Sequence, residues 1–296
     1  MVKLFAEAKD KHDDFFEQHY IADQGFFIKG KAKKFEGKIS LKDNQPTLEA
    51  KFEESGKIQD SKVKGEVTLR SSSEHELETD LDLSKHVEKT KLSTHANWNS
   101  LTHDYDGTVS LHNKHSSGIR NKFDFHFVKG GDWTLTHNFS KKLCKRTILN
   151  FDFTWDGKKS GVVATNLGFW IKPTKWMSAF ITHSTEGQIN KKTDWKKLGV
   201  VTWRSRFTAA DKTKLGFDYS YDLSTRTAGL LLGVETSPAD GLDVKAKINS
   251  EGDLEAAAKL EIADKWDLIM ASSMKAANIT GGQASSFGFG LEGKLK

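Results

Sequence analysis

The sequence is poor in cysteine, in proline and in long apolar runs. Its 296 residues include one Cys, Cys144, and three Pro against 24 Gly. A single Cys excludes an internal disulfide framework and gives no cysteine-based metal motif. Few prolines fit uninterrupted strand ladders, because proline removes a ladder hydrogen-bond donor. A mean hydropathy of −0.57 predicts no transmembrane helix, although a β-barrel, apolar only on its outer face, stays compatible with it.

Charge of neither sign dominates. The chain has 45 Lys and Arg against 40 Asp and Glu, a formal net charge of +5. The basic residues are spread along the chain, which argues against a nucleic-acid-binding patch. The amphipathic N-terminus contains Glu7, Asp10, Asp13, Asp14 and Glu17. Transit peptides are poor in acids, so we expect no cleaved presequence.

What the second half does contain is strict alternation of apolar and polar residues. A period of two over about nine residues indicates a β-strand with one apolar and one polar face. Turn residues separate the stretches. Strands of this length joined by tight turns are typical of a membrane-spanning β-barrel. The apolar series are Leu215/Phe217/Tyr219/Tyr221, Ala228/Leu230/Leu232/Val234, Leu242/Val244/Ala246/Ile248, Leu254/Ala256/Ala258/Leu260/Ile262 and Phe287/Phe289/Leu291.

The rest of the chain after Gly25 also shows strand character. Several apolar series begin or end in Trp, as expected for aromatic girdles at the two membrane interfaces. Typical strand and turn lengths predict roughly 18–20 strands in a single barrel. The predicted segments are Thr47–Glu53, Lys62–Arg70, His75–Leu83, Lys89–Trp98, Leu101–Leu111, Ile119–Val128, Asp132–Ser140, Thr147–Trp155, Val163–Ile171, Trp176–Thr182 and Gly199–Phe207, with a loop over Thr185–Asp194.

Residues 2–20 follow a different period. Their apolar residues recur at helical spacing, and acids and lysines fill the other face. We predict an N-terminal amphipathic helix inside the pore, with its apolar stripe on the inner wall. Gly25 would act as the hinge into the first strand. Residues 1–24 therefore form helix and hinge, and residues 25–296 form the barrel. The stripe is Leu4, Phe5, Ala8, Phe15 and Phe16, and the remaining pore-helix candidates are Asp10, Asp13, Asp14 and Tyr20.

Both ends of the chain resemble the mitochondrial voltage-dependent anion channels. The N-terminus reads Phe5-Ala6-Glu7, then Asp14, Phe16 and Tyr20, followed by Gly25-Phe26. The C-terminus, Ser286 to Glu292, is similar to the closing strand of that family, with alternating Gly and apolar residues. The nucleotide-contact motif of the family corresponds to Lys89-Thr90-Lys91-Leu92, in which only Lys91 matches.

The resemblance implies a barrel of nineteen strands in the mitochondrial outer membrane. It implies parallel first and last strands, an N-terminal helix in the pore, passage of ions and anionic metabolites including nucleotides, and closure at high voltage. The expected partners are membrane lipids, anionic metabolites, and a further copy or other mitochondrial membrane proteins.

Charges on the polar strand faces are the candidate selectivity residues. A wide pore selects by the summed field of its lining, so their positions matter more than any one residue. Acids on the same faces include Glu76, Glu78, Asp80, Asp82 and Asp104. The basic pore-lining candidates are Lys89, Lys91, Lys114, Arg120, Lys122, Arg204, Arg206, Lys245 and Lys247.

The sequence gives no catalytic constellation. Alternation places His95 and His126 on the polar face and His103 and His137 on the apolar one, so we expect no shared metal site. No phosphate-binding glycine motif is present. We expect no catalysis, no cofactor and no nucleic-acid partner. Three alternatives to a metabolite channel stay open: a protein-import pore, a porin-like structural subunit of a larger mitochondrial membrane assembly, and a large soluble β-protein.

Overall fold

A computed structural model gives the structure of the chain. It describes residues 15–18, 25–42, 45–58, 61–87, 89–186, 199–263, 265–275 and 286–294. A short helical segment covers residues 15–17. Nineteen strands follow: β1 Phe26–Ala32, β2 Phe35–Lys42, β3 Gln45–Ile58, β4 Ser61–Arg70, β5 Glu74–Asp82, β6 Thr90–Asn99, β7 Tyr105–Lys114, β8 Ile119–Val128, β9 Trp133–Cys144, β10 Thr147–Asp156, β11 Gly161–Ile171, β12 Met177–Glu186, β13 Val200–Ala210, β14 Thr213–Asp222, β15 Thr227–Ala239, β16 Leu242–Asn249, β17 Leu254–Ala263, β18 Trp266–Met274 and β19 Ser286–Lys294.

The strands form one closed barrel. Each strand pairs antiparallel with its neighbours in sequence, and β1 closes the sheet by pairing parallel with β19, with Phe26 opposite Phe289. An odd number of alternating strands must place two neighbours in the same direction when the sheet closes. Closure pairs the backbone of the edge strands, which a membrane requires because lipid offers no hydrogen bonds. The predicted all-β membrane barrel of about nineteen strands is confirmed.

Alternation assigns the two faces of the barrel wall. On β15, Leu232 is 43% exposed, and its neighbours across the ladder are Phe217 and Ile248, also apolar. The next residue, Leu231, lies on the other face, opposite Asp218 and Asn249. The face that contains Leu232 is therefore the outer one. Many large apolar side chains are exposed on this face, as contact with lipid tails requires.

Aromatic residues border this outer surface. Trp98, Trp133 and Trp155 lie near the ends of β6, β9 and β10 that are at one rim of the barrel, and Trp176 and Trp266 lie at the opposite rim. Trp176 and Trp98 are exposed. Indole rings prefer the polar–apolar boundary of a bilayer. Among the residues described, no helix has the length and apolar character needed to cross a membrane.

The helical segment lies inside the barrel. Phe15 and Phe16 are buried and pack edge to face, with ring centroids 4.9 Å apart. A Cβ placed on Gly216 would lie 2.2 Å from Phe15, and one on Gly233 would lie 2.8 Å from both rings. Gly216 and Gly233 are paired on the inner face of β14 and β15. We call these two glycines the glycine notch, since they leave the room that the two phenyl rings fill.

The structure changes several predicted strand boundaries. The sequence predicts no specific segment for β1, β2 or β18. β7 begins at Tyr105 rather than at the predicted Leu101. Residues 101–104 form a turn, in which the Asn99 side-chain oxygen accepts hydrogen bonds from the Leu101 and Thr102 amides at 2.9 and 3.1 Å. His103 lies in this turn with φ of 55°, so its predicted place on an apolar strand face is wrong.

The predicted loop over Thr185–Asp194 is also partly wrong. β12 continues to Glu186, with Thr185 paired to Thr165. The rest of that predicted loop, from 187, lies outside the described residues.

Candidate functional site: the lumen wall

The inner face of the barrel is the candidate functional surface, because it is lined by charged and polar side chains. The predicted basic residues on it fall into two regions. One region is compact and contacts the helical segment. We call it the basic sector and define it as the inward-facing cations of β13, β14 and β16, which are the predicted residues Arg204, Arg206, Lys245 and Lys247 together with Lys214, which is not among the predicted candidates.

Acids on β14 and β15 pair with cations of the basic sector. Arg204 Nε lies 2.7 Å from Asp218, directly across the ladder. Glu235 pairs with Lys214 on one side and with Lys245 at 3.5 Å on the other. Only 7% of the Lys245 side chain is exposed, so this ion pair is the most buried of the sector. Register places these charges side by side, although the paired residues are 10 to 21 positions apart in the sequence.

The basic sector also binds the helical segment. Lys247 Nζ donates a hydrogen bond of 3.0 Å to the Phe16 backbone oxygen and lies 3.0 Å from Glu255. The Arg206 guanidinium carbon lies 5.4 Å from the centre of the Phe15 ring, within cation–π range. A backbone oxygen near the end of a helical turn is a favourable hydrogen-bond acceptor for a cation. Phe15 and Phe16 therefore lie against the inner wall, and the role of the pore helix stays a prediction.

The other predicted basic residues lie in β6 to β8 or beside them. Lys91 is exposed on the inner face opposite Asp82, and Lys122 pairs with Asp124 at 2.8 Å. Lys114 and Arg120 lie opposite each other at one end of β7 and β8. Lys89 is not in a strand: it precedes β6 with φ of 50°. Its place on a strand face is therefore wrong, and the influence of all nine cations on selectivity stays a prediction.

Acids dominate one strand of the inner face. We call this set the acidic row, and it consists of alternate residues of β5: Glu74, Glu76, Glu78, Asp80 and Asp82. Arg70 of β4 donates from Nη2 to Glu76 at 3.0 Å and from Nε to Glu49 at 2.9 Å. The lumen wall therefore has charge of both signs in separate regions, and the field along the pore depends on which region a solute passes.

Two apolar patches interrupt the polar inner face. Phe27, Ala257, Ile269 and Ala271 form one, and a Cβ on Gly290 would lie 2.2 Å from the Phe27 ring. The Lys38 ammonium lies 4.7 Å from the centre of that ring. Ile148 and Phe180, with Trp170 against them, form the other patch. Sequence reasoning missed both, since each inward apolar residue breaks the alternation that marks a strand.

Several predicted residues of the pore helix lie outside the described part of the chain. These are Leu4, Phe5, Ala8, Asp10, Asp13, Asp14 and Tyr20. Gly25 is described, has φ of 67°, and accepts a hydrogen bond from the Phe289 amide at 2.8 Å through its carbonyl oxygen. A positive φ favours glycine. Its role as a hinge stays a prediction.

The loops at one rim contain ion pairs outside the membrane-spanning strands. The Asp104 carboxylate lies 3.1 Å from Lys129, and Asp132 lies 2.9 Å from Lys158. A hydrogen bond with Thr102 and the pair with Lys129 hold the pKa of Asp104 below its usual range. The hydrogen bond from Lys158 to Asp132 raises the pKa of Lys158. Asp104 and Lys158 are therefore charged at neutral pH and contribute to the field at this entrance.

Comparison with known proteins gives a structural likeness but no family. No family model and no curated protein matches the chain. A crystal structure of the siderophore receptor PirA from Pseudomonas aeruginosa is similar over 86% of this chain, with 10% identity and a TM-score of 0.46. The chain spans 65% of the length of that receptor. A likeness this low says nothing about what the chain binds, and the fold assignment depends on the strand pairing described above.

These comparisons correct the expected family. The resemblance of the two chain ends to mitochondrial voltage-dependent anion channels is matched by no family model and by no curated protein. A last strand that alternates between Gly and apolar residues is compatible with other barrels, because any strand between lipid and an aqueous interior alternates between two faces. The assignment to that channel family is therefore withdrawn. What the structure does establish is a porin-like membrane β-barrel with a lipid-facing outer surface and a polar interior.

Proposed function

We propose that the chain forms an aqueous pore for ions and small metabolites across an outer membrane. The observation that carries this proposal is the closed barrel of nineteen strands with a polar inner wall. A barrel of this size has an interior wider than its own side chains can fill. The described helical segment contacts only one sector of that wall. The proposal includes no catalytic step.

An odd strand count supports a mitochondrial outer membrane as the location. Single-chain barrels of bacterial outer membranes have even numbers of strands, whereas an odd-numbered barrel is known from mitochondria. The parallel pairing of β1 with β19 is the structural consequence of an odd number of strands. Lipids would contact the outer face, and small solutes, nucleotides among them, would contact the inner one.

We further propose a weak preference for anions. The basic sector supports it, because Arg206 and Lys247 contact the helical segment that narrows the pore at this sector. Solutes forced past this narrowing would meet cationic side chains first. The acidic row acts in the opposite direction from another part of the wall. The net preference is therefore expected to be small and to depend on ionic strength.

Reversal potentials in planar bilayers test this preference. With a KCl gradient around 0.1 M we expect an anion-selective reversal potential that fades near 1 M, where the Debye length falls to about 3 Å. Lys91→Gln should lower the anion preference and Glu78→Gln should raise it, since both residues face the lumen. Chelator in all solutions excludes metal effects. Clear cation preference in the wild-type open state would contradict the proposal. It would show that the acidic row dominates the electrostatic field in the pore.

Voltage-dependent closure of the pore is a second element of the proposed function. Moving one charge through a potential of 100 mV is worth about 2.3 kcal/mol, so a charged element of a few residues can respond to voltage. The N-terminal segment, with its acids, is the candidate element. Deleting residues 1–20 should raise the single-channel conductance and change the voltage response while the barrel stays folded. Unchanged conductance and gating would show that this segment neither narrows the pore nor gates it.

A further inference from the structure

Two residues of the acidic row and a histidine on the neighbouring strand have a geometry that charge selectivity does not explain. His95 of β6 lies directly opposite Glu78 of β5 on the inner face, and Glu76 is the next inward residue of β5. His95 Nδ1 lies 3.2 Å from Glu78 Oε1 and 3.3 Å from Glu76 Oε1. The three candidate ligand atoms all lie within 4.8 Å of one another. One imidazole nitrogen and two carboxylate oxygens therefore converge on a common point.

This donor set matches the preference of divalent transition metals. Zn²⁺ binds imidazole nitrogen and carboxylate oxygen at about 2.0–2.2 Å, and sites with three protein ligands leave a fourth position for water. The imidazole favours transition metals over Mg²⁺, which prefers oxygen ligands. Small rotations of the Glu76, Glu78 and His95 side chains would bring their ligand atoms to these metal–ligand distances. The backbone ladder between β5 and β6 fixes their relative positions.

Arg70 supports one of the candidate ligands from outside the group. Its Nη2 donates to Glu76 Oε2, the oxygen that does not contact His95, and its Nε donates to Glu49. Glu76 Oε1 is thereby directed toward His95 and Glu78. Ligating carboxylates in metal sites are commonly oriented by such second hydrogen bonds. Side-chain exposures of 22% for Glu76, 36% for His95 and 51% for Glu78 leave a path from the lumen for an ion and its water.

We propose that Glu76, Glu78 and His95 form a binding site for a divalent transition-metal ion on the lumen wall, and Zn²⁺ is the probe that we choose. This assignment differs from the expectation from the sequence, which gave no metal site. Strand register brings together residues 76, 78 and 95, whose separation in sequence matches no metal motif. The ion would also offset the repulsion between the two carboxylates and their neighbour Asp80 in the acidic row.

Direct binding tests the site without any assumption about transport. Isothermal titration of the folded full-length barrel, in detergent and without an affinity tag, should show saturable Zn²⁺ binding. His95→Gln should weaken that binding at least about tenfold, the range known even for changes around metal ligands. His126→Gln is the matched control. His126 also faces the lumen, but its Nδ1 lies 3.1 Å from Thr108 Oγ1, so this control should bind as the wild type does.

Glu78→Gln is the second variant, and Mg²⁺ is the second probe. The amide keeps the size of the side chain but is a weaker ligand, so Zn²⁺ binding should again fall. Mg²⁺ at the same concentration should bind far more weakly than Zn²⁺. Co²⁺ should give absorption bands of a nitrogen–oxygen site that are lost in His95→Gln. Equal Zn²⁺ binding by wild type and both variants, or equal binding of Mg²⁺ and Zn²⁺, would overturn the proposal and leave an ordinary ion pair between His95 and the two acids.

A consequence for ion flow follows only if the chain is a channel as proposed above. A bound Zn²⁺ adds positive charge to the acidic row and should shift the reversal potential toward anions in the wild type. His126→Gln should behave as the wild type, whereas His95→Gln should show no shift. If titration shows the site but no current passes through the barrel, the channel function fails and the metal site stands. If current passes and titration shows no binding, the metal site fails and the channel function stands.

Discussion

Replacing Leu232 with Arg is expected to lower the free energy of unfolding by roughly 2–4 kcal/mol, the cost of a cation on the lipid face near the bilayer midplane. Leu232 lies near the middle of β15, is 43% exposed, and has Phe217 and Ile248 as its neighbours across the ladder. Arg at this position would bring a guanidinium into a surface that is otherwise apolar. Urea unfolding in lipid vesicles, followed by tryptophan fluorescence, measures the loss.

The adjacent residue gives the matched control. Leu231 has the same side chain on the same strand but lies on the inner face, opposite Asp218 and Asn249. Leu231→Arg should therefore cost much less than Leu232→Arg, because its guanidinium has water and an acid within reach. Equal costs for the two variants would contradict a lipid-facing outer surface. A larger cost for Leu231→Arg would show that the two faces are inverted.

Replacing Gly216 with Val is expected to displace the helical segment from the wall. A Cβ on Gly216 would lie 2.2 Å from Phe15 and 2.7 Å from Phe16, closer than van der Waals contact allows. Overpacking of this kind typically costs about 1–3 kcal/mol. The hydrogen bond from Lys247 and the ring contact with Arg206 oppose the displacement. The barrel itself should fold, because valine is favourable in a strand.

Two measurements follow this displacement. The single-channel conductance should rise, and a cysteine introduced at Gln18 in a Cys144→Ser background should react faster with a water-soluble thiol reagent. Gly65→Val is the control: Gly65 lies in β4, and a Cβ there would meet no atom within 4 Å. That variant should conduct and react as the wild type does. If Gly216→Val also leaves both quantities unchanged, the glycine notch does not hold the helical segment.

Alternation identified the strands that have water on one side and lipid on the other. It worked for β14 to β17, where most inward residues are polar or Gly and most outward ones are apolar, with Leu231 and Ala257 as inward exceptions. It failed for β1 and β18. In those strands Phe27 and Ile269 face inward and pack together, so Phe26-Phe27-Ile28 and Leu268-Ile269-Met270 read as short continuous apolar runs. A pattern of period two cannot mark a strand that is apolar on both faces.

Local periodicity alone predicts the class of fold, the lipid-facing residues and the packing of Phe15 and Phe16 on the wall, because the position of a residue along a strand or helix fixes the face on which its side chain lies. Periodicity could not predict the parallel closure of β1 on β19, the glycine notch, or the meeting of His95 with Glu76 and Glu78, which are seen in the folded barrel. These features depend on register between strands, and register is set by the whole closed ladder rather than by any one segment.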